Sequence, residues 1–426
     1  MPRELLITHA SQLVTLAGPL RPRLGAEMRE LGIIRDGALL ARDGLIVAVG
    51  ATSTVAPLAA MDALEIDASN LVVMPGFVDA HTHPVFAGTR EDEYEMRAVG
   101  MTYQQIAAAG GGIRSTVRKT RAASEDELLE LGKIRCGRLL EHGTTTIEAK
   151  SGYGLTVEDE LKILRVIRRL NDETHLELIP TLLGAHEIPD EYRDRRDDYI
   201  RLVIDEMLPR VAEDGLARYC DVFCEAHVFN VEESRRVLTR AKDLGMGIRL
   251  HAEQLSSSGG AHLAAELGAD SADHLEWVAK AGIEALRQSG AVAILLPGAV
   301  FNLGLNRYAP ARAMIDAGLP IALATDFNPG SSPTPSMQMI LSIACTQMRM
   351  TPAEAVTSAT INAACSLGVE ARLGSLETGK QADIVVHDCS DYRQIPYLFG
   401  VNHAAVVIKS GNVVLDRRVE ASSAHR

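Results

Sequence analysis

Short apolar runs rich in β-branched residues recur through the middle of this chain, at 71–79, 143–149, 176–184, 219–224, 247–252, 268–273, 290–297 and 319–325. Helical segments with readable starts fill most of the gaps. Ser124 and Glu127 are spaced as a capping box ahead of "LLELGKIRCGRLLEHG". Asn230 precedes "VEESRRVLTRAKDLG", which stops at Gly245. Thr351 is followed by Pro352, a residue suited to the first helical position. Strands that alternate with helices pair in parallel through crossovers, and eight such units predict an α/β chain folded as a (β/α)8 TIM-like barrel.

Length agrees with a barrel plus a satellite: 426 residues exceed one small core. The ends read differently from the middle. Residues 1–70 hold short strands with turns at Asp36-Gly37 and Asp43-Gly44, both hairpin signals. Residues 371–426 repeat that style in "GSLETGKQADIVVHD" and "NHAAVVIKSGNVVLDRR", each read as strand–turn–strand. The expected architecture is a barrel over 71–370 with a small composite β-sandwich built from 1–70 and 371–426.

Charge and cysteine usage narrow the setting. A net charge of −13, from 43 basic and 56 acidic residues, argues against nucleic acid or an anionic membrane as the main partner. The six cysteines, at 136, 220, 224, 345, 365 and 389, form no Cys-x-x-Cys pair, so a reducing cytoplasm is expected rather than a disulfide framework. No signal peptide is read in "MPRELLITHASQLVTLAG". No apolar run approaches the roughly eighteen residues of a membrane span.

Barrel chemistry gathers at the C-terminal ends of the strands. The first run ends in His81 and His83, whose i, i+2 spacing puts both imidazoles on one strand face. The fifth run ends in His251, the sixth in His274 and the eighth in Asp326. Each alone is more often a hydrogen-bonded core or rim residue. Together, at four strand ends, three or more imidazoles and a carboxylate make a site for Zn²⁺ or another borderline divalent ion. His81, His83 and His251 would supply nitrogens, and Asp326 would touch the metal and take a proton from its water. A bound divalent ion lowers that water's pKa to about 7. His274 would hydrogen-bond the water and shuttle its proton.

"GFVDAHTH", "HAEQ", "DH" and "TDFNPGS" fall in the order of the amidohydrolase superfamily, which this chain resembles, and "LETGKQADIVV" resembles that superfamily's return to its sandwich. Within it, "HTHPVFAGTR", "AAAGGGIRSTVRKTR", "EAKSGYGL", "LLGAHEIP", "HAEQLSSSGGA" and "ATDFNPGSSP" are similar to the imidazolonepropionase family of histidine degradation. The resemblance implies one Zn²⁺ or Fe per chain, held by His81, His83, His251 and Asp326. It implies substrate contacts at Arg90, Tyr153, His186, Gln254, Asn328, Gly330 and Ser331. The implied reaction is hydrolysis of the cyclic amide of 4-imidazolone-5-propanoate to N-formimidoyl-L-glutamate. Barrels of this superfamily commonly dimerise, so a homodimer is implied too. Some members carry a glutamate, assigned an acid–base role, three residues after the third ligand. Here that position is Gln254, with Glu253 one residue earlier. Glutamine exchanges no proton at neutral pH, so the base work falls to Asp326 and His274. The alternative is a deaminase of a purine- or pyrimidine-like ring on the same metal set; a binding protein on an inactive barrel is more distant.

Chemistry of the remaining motifs can be weighed beside this. Arg90 suits a carboxylate tail because guanidinium meets carboxylate as a fork, although a lone loop arginine is ordinarily a surface residue. "AGGGI" at 109–113 is either a flexible loop or a close approach to substrate; no Lys-Ser/Thr follows it, so it is no phosphate cradle. "NPGSSP" at 328–333 is a turn able to aim N–H groups at a carboxylate. Cys220 and Cys224 share a strand face and are expected to pack as small hydrophobes. Glu225 ends the fourth run as a supporting group. Glu148 and Lys150 end the second; a carboxylated bridging lysine usually sits on the fourth strand in this superfamily, so no second metal is expected.

Overall fold

The computed structural model describes residues 4–101, 105 and 110–418. Eight parallel strands form the central sheet: β1 (Phe77–Thr82), β2 (Thr144–Lys150), β3 (Glu177–Ala185), β4 (Tyr219–Cys224), β5 (Gly247–Ala252), β6 (Ser271–His274), β7 (Val292–Leu295) and β8 (Ile321–Leu323). Each pairs with the next in chain order. A bridge from Thr82 to Phe327, just past β8, brings the first and last strands together. This is the (β/α)8 barrel that the alternation predicts.

The helices start where capping chemistry places them. Ser124 accepts from the Glu127 N–H at the head of Glu125–Glu141, Asn230 accepts from Glu232 and Glu233 ahead of Val231–Asp243, and Thr351 accepts from Glu354 ahead of Pro352–Ser358. Each bond satisfies an N–H that the first helical turn leaves without a partner.

Two smaller sheets make the satellite. One is six-stranded, ordered Asn412–Asp416, Ala404–Lys409, Ile384–His387, Val72–Pro75, Gln12–Val14 and Ile33–Ile34. The other runs Leu45–Ala51, Gly37–Arg42, Leu5–Ala10 and Leu64–Asp67. Leu5, Ile7, Leu39, Ile46, Val73, Ile384, Val406 and Ile408 form their shared apolar core.

Three local expectations change. The run 71–79 is two strands, not one: Val72–Pro75 lies antiparallel to Ile384–His387 in the satellite, and Phe77–Thr82 opens the barrel. Asp43-Gly44 is a two-residue hairpin with φ of 51° and 82°, the geometry that suits twisted strands. Asp36-Gly37 is not a hairpin, because Ile33–Ile34 pairs in one sheet and Gly37–Arg42 in the other. "GSLETGKQADIVVHD" supplies only the strand Ile384–His387, the rest being turns with a single bridge from Gln381 to Leu45.

Candidate active site

The barrel strands deliver five side chains to one buried point. His81 lies near the end of β1, His83 follows it, His251 is on β5, His274 ends β6, and Asp326 sits three residues past β8. Their exposures are 0, 2, 3, 1 and 3 % in that order. The backbone locks two of these strand ends together: Asp326 N–H donates to His81 O at 3.1 Å, and His83 N–H donates to Phe327 O at 2.8 Å. Asp326 and His274 adopt positive φ, 53° and 78°, which turns each side chain inward at a cost in backbone strain.

Ring centres of His81 and His251 are 4.5 Å apart, and His83 lies 5.3 Å from His81. Asp326 Oδ1 is 3.6 Å from both His81 Nε2 and His83 Nε2. Ligand atoms of His81, His83 and Asp326 all lie within 4.8 Å of one another, as do those of His81, His251 and His274. His81 Nδ1–H donates to Asp273 Oδ2 at 2.6 Å, so its Nε2 carries the lone pair; that atom is buried without a partner. An orphaned imidazole nitrogen beside a carboxylate oxygen is what a divalent metal site requires. The donor set therefore fits the group.

Burial holds His81 and His83 well below the ordinary imidazole pKa and lowers His251, which keeps the rings neutral and able to ligate. Burial also raises Asp326 to about 6, with His274 opposing. For His274, burial alone would disfavour the charged ring, but Glu276, 3.5 Å from Nδ1, and Asp326 outweigh it and raise the pKa.

Tyr153 and His186 form the wall beside His83. His186 stacks on His83 with centroids 5.5 Å apart and 20° between planes, and Tyr153 is 5.5 Å from His186. His186 Nδ1 is 2.9 Å from Gly152 O. A carbonyl only accepts, so Nδ1 bears the proton and Nε2 is a free acceptor. Gly152, at φ 107°, has no room for a side chain, since a Cβ would lie 2.8 Å from His186 Nδ1. Burial lowers His186 to about 3 and raises Tyr153.

Arg90 is held by its Nε–H, which donates to Thr116 Oγ1 at 2.8 Å. A methyl group on Gly330 would collide with Arg90 Nη1, so the two positions face each other. Gly112 N–H donates to Glu93 Oε1 at 2.7 Å and ties the glycine-rich motif to the helix Glu91–Ala98 that Arg90 caps. Ala107, Ala108 and Ala109 of that motif lie outside the described residues.

The turn after Asp326 behaves otherwise than expected. The N–H groups of Gly330 and Ser331 both donate to Asn328 Oδ1 at 2.8 Å, because this short loop folds its own carboxamide inward. Asn328 Nδ2 donates to Asp326 O at 2.6 Å and to Ser331 Oγ at 2.8 Å. Ser331 Oγ donates in turn to Asp326 Oδ2 at 3.1 Å. Asn328 thus braces the loop, and Ser331 orients the carboxylate. Gln254 is half-buried. Glu253 accepts from Gly259 N–H at 3.2 Å, with its other oxygen near Gly282. Glu225 accepts from Leu255 N–H, Ser256 N–H and Ser256 Oγ, pinning the loop after His251. Cys220 and Cys224 are buried in the main apolar core, and burial raises Cys224 to about 11.

Two features escaped the sequence reading. Glu160, fully buried, accepts from Gly152 N–H at 2.9 Å, Gly154 N–H at 2.7 Å and Leu155 N–H at 2.8 Å, so it holds the Ser-Gly-Tyr-Gly loop. Beneath the histidines, Asp221, Arg249 and Asp273 join Glu148 and Lys150 in a dry charged layer. The available signal was charge at inward positions of apolar strands, in "CDVFC", "IRLH" and "SADH".

Comparison with known proteins places this architecture. The model of the "Amidohydrolase family" matches residues 72–414. The imidazolonepropionase of Solibacter usitatus (strain Ellin6076) is 56% identical over 411 residues, 96% of this chain and 98% of the relative. That of Geobacillus kaustophilus (strain HTA426) is 48% identical over 418 residues, 97% and 98%. Among solved structures, a 5-methylcytosine deaminase from Klebsiella pneumoniae liganded with 5-fluorocytosine superposes with TM-score 0.73 at 18% identity, covering 97% of each chain. An adenosine deaminase from Xanthomonas campestris with bound zinc gives 0.70 at 20%, covering 99% of this chain and 97% of that one. At those identities the structures speak to fold alone.

Proposed function

This chain belongs to the amidohydrolase family and, within it, to the imidazolonepropionases, hydrolases of a cyclic C–N bond, and from that premise we propose how its residues divide the work. His81, His83, His251 and Asp326 hold one metal ion, Zn²⁺ or Fe. The observation that carries this is the buried, unpartnered His81 Nε2 with Asp326 Oδ1 3.6 Å away. When bound, the ion supplies a water of lowered pKa and polarises the carbonyl to be attacked.

The substrate is 4-imidazolone-5-propanoate. Arg90 takes its propanoate through the guanidinium fork, held in place by Thr116. His186 accepts a ring N–H at its free Nε2, and Tyr153 donates its hydroxyl, kept protonated by burial. Gln254 lines the mouth. Asp326 Oδ accepts the attacking water's proton, and burial, which raises the carboxyl's pKa, favours that acceptance. His274, steadied by Glu276, carries the proton to the ring nitrogen that leaves. The bond broken joins that nitrogen to the carbonyl carbon, and the product is N-formimidoyl-L-glutamate.

The deaminase alternative shares the fold but has no use for a carboxylate fork, and Arg90 held against Gly330 favours the amide substrate. The test is decay of the imidazolone ultraviolet absorbance on adding enzyme to fresh substrate, with formimidoylglutamate quantified and His251→Ala as control. Stoichiometric product from wild type, lost in the variant and on chelation, supports the assignment. Background-rate decay by a metal-loaded protein refutes it, and ammonia release from amino-substituted heterocycles would then favour the deaminase. Metal analysis and light scattering of the same preparation read the metal's identity and the homodimer that belongs with this proposal.

A further inference from the structure

Lys150 has no part in the scheme above, yet it lies fully buried beneath the histidines. Its Nζ donates to Asp221 Oδ2 at 2.6 Å and to Glu148 Oε1 at 2.7 Å, and it stands 3.8 Å from Asp273 Oδ2. Asp221 Oδ2 is 3.0 Å from His251 Nδ1, and its Oδ1 accepts from the His251 backbone N–H at 3.1 Å. Asp273 Oδ2 accepts from His81 Nδ1–H at 2.6 Å, and its Oδ1 accepts from Ser271 Oγ at 2.6 Å. One ammonium group therefore lies between the two carboxylates that fix two separate imidazoles.

Barrel geometry explains the arrangement. Inward residues from alternate strands form a layer, and Lys150, Asp221 and Asp273 come from β2, β4 and β6. His81 and His251 come from β1 and β5, the odd strands. Two carboxylates side by side in a dry interior repel each other and resist ionisation. A cation shared between them removes that conflict, so Asp273 can keep accepting from His81 Nδ1–H and Asp221 from the His251 backbone N–H, with its other oxygen beside the His251 ring. Charged residues are costly core material compared with aliphatic ones, so a network serving no purpose would gain from replacement.

We propose that Lys150 is the positioning residue of the metal site, fixing the His81 and His251 rings together through Asp273 and Asp221. This rests on reading those two histidines as ligands. Lys150 touches neither metal nor substrate and acts only through the carboxylates.

The test is Zn²⁺ affinity, measured by competition with a chromophoric chelator, alongside thermal unfolding of the metal-free proteins. Lys150→Met should bind Zn²⁺ about 10-fold more weakly, the low end of the range for losing a direct partner of a ligating histidine, because Lys150 acts one step further out. In an Asp221→Asn/Asp273→Asn background the same substitution should add less than about threefold, because the route through the carboxylates is already cut. Wild-type affinity in a folded Lys150→Met protein overturns the proposal, and so does an undiminished loss in the double-variant background. If Lys150→Met does not fold, Lys150→Gln decides: a loss of threefold or more supports the role, and wild-type affinity refutes it. His251→Ala separates the two readings. Undiminished Zn²⁺ binding there sinks the ligand set itself, whatever Lys150 does.

Discussion

Glu160→Gln isolates the support of the substrate wall from the metal. The carboxylate accepts three backbone N–H groups: Gly154 and Leu155 at Oε1, and Gly152 at Oε2. Glutamine keeps the shape but offers one acceptor. Its oxygen settles where two donors converge, which leaves its NH₂ facing Gly152 N–H. One charge-assisted bond, about 1.5–3 kcal/mol, is lost, and the two retained bonds weaken as they become neutral. Against this, burial already works on Glu160, raising its pKa beyond what its donors offset, and an amide escapes that penalty. The net cost is about 2–3 kcal/mol. An unfolding entropy of about 2.1 cal/mol/K per residue is roughly 0.9 kcal/mol/K for 426 residues, so the midpoint should drop by about 3 °C. Gly152 O holds His186 and the loop carries Tyr153, so KM should rise several-fold while bound metal stays at one equivalent. Calorimetry, steady-state kinetics and metal analysis read these separately. An unchanged midpoint and KM would show that Glu160 does not hold the loop.

Gly330→Ala should raise KM about tenfold or more with the fold intact, because the new methyl displaces the Arg90 guanidinium; steady-state kinetics read it. Arg90→Lys keeps the charge but loses the fork and the Thr116 anchor, and kcat/KM should fall about 10- to 100-fold. His387, in the satellite, is buried with both ring nitrogens unpartnered, and burial, aided by His403, lowers its pKa to about 3. The neutral ring is the folded form, so its stabilising contribution is full above the unfolded value of 6.5 and is lost as pH falls towards 3. Between pH 6.5 and 5 that is about 2 kcal/mol. Urea unfolding of His387→Leu should show a stability loss between pH 7 and pH 5 smaller than wild type's by about that amount, and parallel curves would refute it.

How far the sequence revealed these features depends on the distance over which each is specified. Barrel alternation is local, and so are the helix caps at Ser124, Asn230 and Thr351, so both were legible. The convergence of His81, His83, His251, His274 and Asp326 was legible for a related reason: a histidine or aspartate ending an apolar run marks itself. Their supports were not. Asp273 orients His81 from 192 residues away, and no local pattern says which strand end a mid-strand carboxylate will meet. Asp36-Gly37 and Asp43-Gly44 carry the same turn signal, yet only the second joins paired strands, because pairing is decided by sheets that assemble later. The consequence bears on function. Residues that carry the chemistry are written as residue types at strand ends, whereas their orientation is written as pairings between strands. On the proposed role of Lys150, this barrel can keep every ligand and still bind its metal more weakly through a change at Asp221, Asp273 or Lys150, charged strand residues whose partners no local pattern names.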